Sequence, residues 1–487
     1  MAGPDEIHPV PTTTLAGGQP PDAAGRAAGE QPRHLHRGLK VVGTILITLS
    51  AITPASSVFI IIPGVVGGAG TGALWSLLAA GVVGVFMAFV YAELSSAYPL
   101  TGGEYAIVAR TVGRLPGFLV LGLMLVTQLL ILAVIGLGVG IYLGVLFPDL
   151  HPPTVAAITV LAAVVLGVLD IKINAVVTGI FLAIEMLALV VLSLLGFLNT
   201  ERSVSGLLFE PVVGDGAGGL APATLGMIGA ATAVAIFAYN GYGSAVYLGE
   251  ETRGARRGIA GAILWALGIT VVAELVPTLA VLLGAPDLDR LLSAGNMMEY
   301  FITERGGAGL NTAISLGIAI AIVNAVLAIL LLSARLTFST ARDNVWPTPV
   351  NRALRSLHPR FGTPWIATIV TGVIAAAVCY VDEQVLFVLT GTSLVVVYAA
   401  LCVAAIAGRR NGTTAHGAYR MPLFPLPPVV GLAALGYVAY QSARDPEIGR
   451  PSLLVTLAVM ALSAVYYVAV VRRRGRWELR GAETADE

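Results

Sequence analysis

Predominantly apolar windows of about 20 residues recur twelve times along this chain, beginning near Val42, Ala73, Pro116, Thr154, Ala175, Thr224, Gly258, Leu310, Pro364, Val385, Leu426 and Ser452. A helix of that length spans the hydrocarbon of a bilayer. Hydrocarbon offers no water to backbone N–H and C=O groups, so continuous apolar windows must satisfy those groups as helices. The pattern predicts an all-α polytopic membrane protein with 12 transmembrane helices. The composition fits: 56% hydrophobic residues, 11% charged residues and a mean hydropathy of +0.86 lie outside the range of soluble domains.

Two windows carry residues that break helices. The first contains Ser50-Ala-Ile-Thr53-Pro54-Ala55-Ser56-Ser57, and the sixth contains Phe237-Ala238-Tyr239-Asn240-Gly241-Tyr242-Gly243-Ser244. An unwound span survives in lipid only where its backbone faces a buried cavity or a ligand. Interrupted spans at corresponding positions of two halves are the best sequence pointer to a transporter's binding site. Five spans separate the two breaks, an odd number, so the repeats enter the bilayer from opposite sides. Residues 38–200 (spans one to five) and 222–408 (spans six to ten) form the predicted halves, with spans eleven and twelve over 423–472 outside them. Gly136, Gly140 and Gly144 in span three have the spacing that lets helix backbones approach closely.

Residues 1–37 are rich in Pro, Gly and Ala and lack apolar periodicity, which reads as a disordered tail rather than a cleaved signal peptide. Residues 473–487 form a second tail. With both termini on one side, all but Arg202, Arg290, Arg305, Arg444 and Arg450 of the 28 Lys and Arg residues fall on that side. Both tails are therefore expected in the cytoplasm, with the protein in the plasma membrane. Arg472-Arg-Arg-Gly-Arg476, beside a span, reads as a topology anchor rather than a nucleic-acid site. Cys379 and Cys402 both lie in apolar spans, so neither a disulfide framework nor a metal site is expected, and no cofactor is indicated.

The order of several segments resembles the amino acid-polyamine-organocation (APC) superfamily of permeases, bacterial amino acid permease type, over roughly residues 38–470. Tyr91-Ala-Glu93-Leu-Ser-Ser-Ala-Tyr-Pro99-Leu-Thr-Gly102-Gly103-Glu104-Tyr105 is similar to the family's acidic-then-Gly-Gly-Glu-Tyr segment. Leu248-Gly-Glu250-Glu251-Thr resembles its paired-glutamate ending, and Ser333-Ala-Arg335 with Ala341-Arg342-Asp343-Asn344-Val-Trp-Pro347 its Arg-to-Pro signature. The resemblance implies a 5+5 inverted-repeat (LeuT-like) fold with discontinuous helices 1 and 6 cradling the substrate.

A zwitterionic amino acid needs two complementary partners, and a broken helix supplies both. A half-helix N-terminus offers N–H groups to a carboxylate, and freed carbonyls accept from an ammonium. Thr53, Ala55, Ser56 and Ser57 stand at the first break; the family usually has Gly-Ser-Gly where this chain has Ala55-Ser56-Ser57. The plainer alternative is a proline kink in a packed helix. In span six, Ala238, Tyr239, Asn240, Gly241 and Tyr242 match the family's unwound segment, and Phe237 matches an aromatic gate or is simply apolar packing. Some family exchangers carry a glutamate where this chain has Gly243, so a dedicated acid-resistance exchanger is disfavoured.

All six histidines (His8, His34, His36, His151, His358 and His416) lie in the tail or loops, which leaves carboxylates to couple transport to a proton. Glu185 falls near the middle of span five and Glu274 within span seven. A charged side chain there costs at least about 2.5 to 3.5 kcal/mol, so each is read as able to hold a proton. Glu185 resembles, by position, a family lysine that stands in for sodium; it is expected to bridge spans one, five and eight. A permanently hydrogen-bonded structural acid is its alternative, and for Glu274 a cap on a turn distorted by Pro277. Asn324 and Gln128 are plausible partners or glue between helices. Glu93, Glu104, Glu250 and Glu251 match cytoplasmic rim positions and are expected to face Arg110, Arg114, Arg253, Arg256 and Arg257 as an inner gate, or to form a solvated rim.

The sequence thus predicts a secondary active transporter of amino acids or related amines, with proton symport favoured. Sodium stays open as the coupling ion, because carbonyl-lined sodium sites leave little trace in sequence. An exchanger or uniporter without ion coupling, and a non-transporting nutrient sensor, are the competing readings. No nucleophile-base set, phosphate loop or nucleotide-binding domain is found, which argues against an enzyme or a primary pump. Besides lipid and the small solute, no obligate protein partner is evident.

Overall fold

The computed structural model describes residues 35, 38–144, 147, 149–215, 219–446, 449–475 and 477–480. Apart from Leu35, the tail expected over 1–37 lies outside the described residues, as does most of 473–487. Helices begin close to where the apolar windows begin. The first window gives α1 (Val41–Ile52), α2 (Pro54–Ser56), a π-turn (Ser57–Ile61) and α3 (Ile62–Ala69), and the next three give α4 (Ala73–Ala97), α6 (Arg114–Gly144) and α7 (Pro152–Gly167), with α5 (Gly103–Thr111) between α4 and α6. There follow α8 (Ile171–Leu198), the short α9 (Val204–Phe209), α10 (Leu225–Ala238), a 3-10 run (Tyr242–Leu248) and α11 (Ala255–Gly284). The rest comprises α12 (Leu288–Ser293), α13 (Met297–Arg342), α14 (Thr348–Leu354), α15 (Trp365–Val378), α16 (Glu383–Arg410), α17 (Leu426–Arg444), α18 (Gly449–Tyr466) and a basic last turn.

Eight helical segments among the described residues are long and apolar enough to cross a membrane, and Pro152–Gly167 and Trp365–Val378 are shorter apolar helices. The expectation of twelve is therefore met in part. The first of the eight, Val41–Ala97, has 57 residues. At 1.5 Å per residue it would measure about 85 Å, far more than one crossing. Its interruptions fall at Thr53 and at Gly70–Gly72, where Gly70 has φ 58.

One expectation needs correction. The fold is not purely helical: Val212–Gly214 and Leu220–Pro222 pair antiparallel, with Val213 opposite Ala221. Thr71 Oγ1 accepts from Val212 N at 2.9 Å, so this hairpin is fastened to the Gly70 turn. The window expected from Leu310 begins just past the interruption at Gly307, φ 78, which separates it from a preceding helical stretch that starts at Met297.

Lipid tails are as apolar as leucine, so close packing rather than a hydrophobic drive holds such helices together. Where α8 meets α11, a Cβ on Gly196 would lie 2.1 Å from the Ala280 oxygen, so only glycine fits. Of the span-three glycines, Gly140 meets Pro152 of α7 backbone to backbone, while a Cβ on Gly144 would meet nothing within 4 Å. The broken first helix is surrounded: α1 packs on α8, α11 and α13, and α3 packs on α10. Many large apolar side chains, among them Val165, Leu198, Val272 and Leu462, point outward, as a lipid-facing belt requires.

Candidate functional site

Thr53 ends α1. Its backbone is left-handed (φ 50, ψ 72), a conformation costly for a β-branched residue, and Pro54 next to it disfavours helix at the preceding position. Thr53 N donates to Leu49 O at 2.9 Å, and Pro54 has no N–H to continue the ladder. In span six α10 stops at Ala238, and Gly241 takes φ 116 before the 3-10 run begins. The two breaks lie against each other. Ser57 Oγ donates to the Ala238 carbonyl at 3.1 Å, and a Cβ on Gly241 would lie 2.9 Å from Ile52 Cγ1.

The half-helix N-terminus of span one already holds a carboxylate. Ala55 N donates to Glu185 Oε1 at 2.8 Å, and Thr53 Oγ1 donates to the same oxygen at 3.1 Å while sharing a 2.8 Å bond with Ser56 Oγ. Glu185 is fully buried. Its hydrogen bonds run from span five to span one, and among the described residues none reaches span eight, which it was expected to bridge as well. That link is made by Asn324 of α13, whose Nδ2 donates to Ser50 Oγ at 2.9 Å and to Thr178 O at 3.2 Å. Asn324 is thus the glue between three spans.

Four buried polar atoms near the breaks lack a well-formed hydrogen bond within the protein: Glu185 Oε2, both carboxylate oxygens of Glu274 and the Tyr239 hydroxyl. Glu274 is close enough to Glu185 and to Tyr239 to interact with each electrostatically. Its carboxylate caps no turn but faces the Ser57 hydroxyl, and its backbone carbonyl accepts from Thr278 Oγ1 at 2.7 Å. Orphaned buried acceptors are rare and costly, so this cluster suits an occupant that brings donors. Among the described residues no group of three His, Cys, Asp or Glu side chains is placed to hold a metal ion.

The other span-six residues divide. Asn240 Oδ1 accepts from the Tyr398 hydroxyl, and Tyr398 stands edge-on to Tyr91, centroids 5.6 Å apart. Tyr242 is buried edge-on against the same Tyr91 at 6.0 Å. Phe237 is partly buried beside Gly391 of α16. Gly243 has no room for a side chain, since a Cβ would lie 2.5 Å from Tyr91 Cε1, so a carboxylate could not stand there without moving that ring.

All four rim glutamates are buried, and their partners differ from those expected. Glu93 is held by Arg409, at 2.7 Å to Nε and 2.6 Å to Nη2, and by Met421 N at 2.7 Å. Glu250 pairs with Arg342 and accepts from Thr101 N at 2.9 Å. Glu251 forms a two-point pair with Arg335, whose Nη1 also donates to Leu331 O at 2.8 Å. Among the described residues Glu104 meets no arginine; it accepts from the hydroxyls of Tyr91 and Tyr247. Burial holds its carboxyl above the ordinary carboxylate range, partly offset by those two hydroxyls. Sequence reasoning missed Arg335, Arg342, Arg409 and Tyr398 as site partners. Arg335 and Arg342 stood out as part of the Arg-to-Pro segment but with no partner assigned, whereas Arg409 and Tyr398 signalled only as polar groups within or at the end of an apolar helix.

Comparison with known proteins adds to this geometry. Residues 39–470 match the model of a family described as amino acid permease. The methylthioribose transporter of Bacillus subtilis (strain 168) is 25% identical over 424 residues, covering 82% of this chain and 86% of the relative. An uncharacterized transporter of Mycobacterium tuberculosis (strain ATCC 25618 / H37Rv) is 29% identical over 358 residues, 71% of this chain and 74% of the relative. The branched-chain amino acid permease BcaP of Bacillus subtilis (strain 168) is 23% identical over 428 residues, 84% and 88%. Since the family match covers nearly all of the described helices and relatives named as transporters align over most of their length, the protein is a multi-pass membrane transporter of small molecules, not an enzyme, and belongs to the amino acid permease family.

Proposed function

We propose that this permease is a secondary active transporter that couples uptake of an amino acid or related amine to a proton, with the solute held between the two breaks. Twelve crossings follow if the 57-residue first segment counts as two and Pro152–Gly167, Trp365–Val378 and Leu426–Arg444 are added to the remaining seven long segments. Helices 1 and 6 are then the discontinuous ones, in two inverted five-helix halves over 38–200 and 222–408, with 423–472 as the last pair. The positive side, and with it both termini, is cytoplasmic.

The observation that carries the reading is the bond from Ala55 N to Glu185 Oε1. A substrate carboxylate suits the same helix N-terminus, and two carboxylates cannot share it while both are charged. Protonating Glu185 weakens its hold on Ala55 N and on the Thr53 hydroxyl. The substrate carboxylate then takes that position, and Glu274, Tyr239 and the carbonyls near Ala238 receive the ammonium. Proton and substrate thus bind in mutual dependence. Closure on the inner side falls to Glu93, Glu104, Glu250 and Glu251.

Proteoliposome uptake of labelled amino acids, with and without an inwardly directed proton gradient, tests this. Accumulation is expected only with the gradient; uptake indifferent to it leaves an exchanger or uniporter. The unpartnered acceptors support a second reading, since hydroxyl donors satisfy them as well as an ammonium does. A polyhydroxylated solute such as the one named for the methylthioribose transporter therefore belongs in the same uptake panel.

A further inference from the structure

An open groove of about 680 Å³ runs between α1 and α8, on the outside of the helix bundle and separate from the two breaks. Its two ends differ in chemistry. At one end stand three cations, Lys40 before α1, Lys172 in the first turn of α8 and Arg253 after the 3-10 run, all with exposed side chains. Backbone bonds fix the spacing of Lys40 and Arg253: Leu39 N donates to Glu251 O at 3.0 Å and Arg253 N to Leu39 O at 2.9 Å. The remaining length is apolar, walled by Leu46, Val176 and Ile180, with Gly43 and Gly179 leaving backbone as its floor. Among the described residues that line it none is acidic. The nearby Asp170 caps α8, its Oδ1 accepting from Lys172 N at 2.8 Å.

From Lys172 to Ala183, the far end of the lining, α8 rises about 16 Å, close to half the roughly 30 Å hydrocarbon thickness of a bilayer. The groove is thus one leaflet deep, charged at the headgroup level and apolar below. A soluble anion uses only the charged end; a zwitterionic lipid fills the apolar length but brings a cation of its own to the three already there. Basic pockets between helices at a membrane surface suit anionic headgroups.

We infer that this groove is a binding site for one anionic phospholipid, its phosphate among Lys40, Lys172 and Arg253 and an acyl chain lying along α1 and α8. Bound there, the lipid braces the two helices that meet at Glu185 and Thr53.

Thermal unfolding of the purified full chain in mild detergent, titrated with phosphatidylglycerol, phosphatidylcholine or glycerol 3-phosphate, tests the assignment. Phosphatidylglycerol is expected to stabilise saturably, with the other two at least tenfold less effective. Lys172→Glu and Ala183→Phe should each raise the half-saturating phosphatidylglycerol concentration at least tenfold. Lys172 is exposed, so Lys172→Glu retains the fold and carries the test even if Ala183→Phe is poorly folded. Equal stabilisation by phosphatidylcholine overturns the headgroup assignment, and equal stabilisation by glycerol 3-phosphate overturns the lipid. A Lys172→Glu response identical to the wild type places any bound lipid elsewhere and overturns the site.

Discussion

Replacing Glu185 by Gln isolates the proposed coupling step. Gln keeps the shape of the side chain but fixes it neutral, as a protonated glutamate is. In the native protein Glu185 Oε1 accepts from Ala55 N at 2.8 Å and from Thr53 Oγ1 at 3.1 Å, in a site closed to solvent. A hydrogen bond to a charged acceptor contributes about 1 kcal/mol more than one to a neutral acceptor, so the two together hold the ionised form by about 2 kcal/mol. A substrate carboxylate must overcome that hold only when Glu185 is charged. Wild-type affinity should therefore fall as pH rises, by roughly 30-fold between the protonated and ionised limits. The Glu185→Gln variant should keep the tight, low-pH affinity throughout and lose accumulation on a proton gradient. Isothermal titration of the transported amino acid between pH 5 and 8, where its own charges are constant, reads the affinity. A Gln variant whose affinity falls with pH as steeply as the wild type, or which still concentrates substrate on a gradient, refutes the reasoning.

Breaking the Arg335–Glu251 pair with Glu251→Gln leaves a fully buried guanidinium uncompensated and should cost about 3 to 5 kcal/mol, while Glu251→Leu with Arg335→Met should recover most of it. Denaturant unfolding of the two variants in detergent checks this; a Gln variant as stable as the wild type counts against it. Asp343, just beyond α13, is pushed up to about 6 by burial despite Arg342 and the Tyr105 hydroxyl. An acid raised in the folded state favours folding below its ordinary value of 3.8, and that contribution, about 3 kcal/mol, is lost as pH rises through about 6. Asp343→Asn should flatten the melting temperature between pH 4 and 6.5, and an unchanged slope would contradict the assignment. Gly70→Ala demands a Cβ 1.8 Å from the Val212 oxygen at φ 58, so it should detach the hairpin and cut the yield of monodisperse protein on gel filtration severalfold.

The helices, their starts and the two breaks were legible because they rest on local chemistry. Apolar length sets a helix in lipid; Pro54 removes a donor; Gly241 tolerates φ 116 where a side chain would strain. The hairpin at Val212–Pro222 escaped because strands of three residues carry too little periodicity to read. The helical stretch from Met297 to the interruption at Gly307 escaped because Glu299, Glu304 and Arg305 keep it from reading as an apolar window.

Residue types and their order were thus enough to determine a membrane chain with two unwound spans and acids buried near them. Only the tertiary structure decided which groups meet. Glu93 and Arg409 are 316 positions apart, Ala55 and Glu185 130, and the arginines nearest in sequence to the rim glutamates are not the ones that pair with them. Such pairings depend on how each helix is rotated and how close its neighbours approach, a property of the packed bundle that no local run of residues encodes.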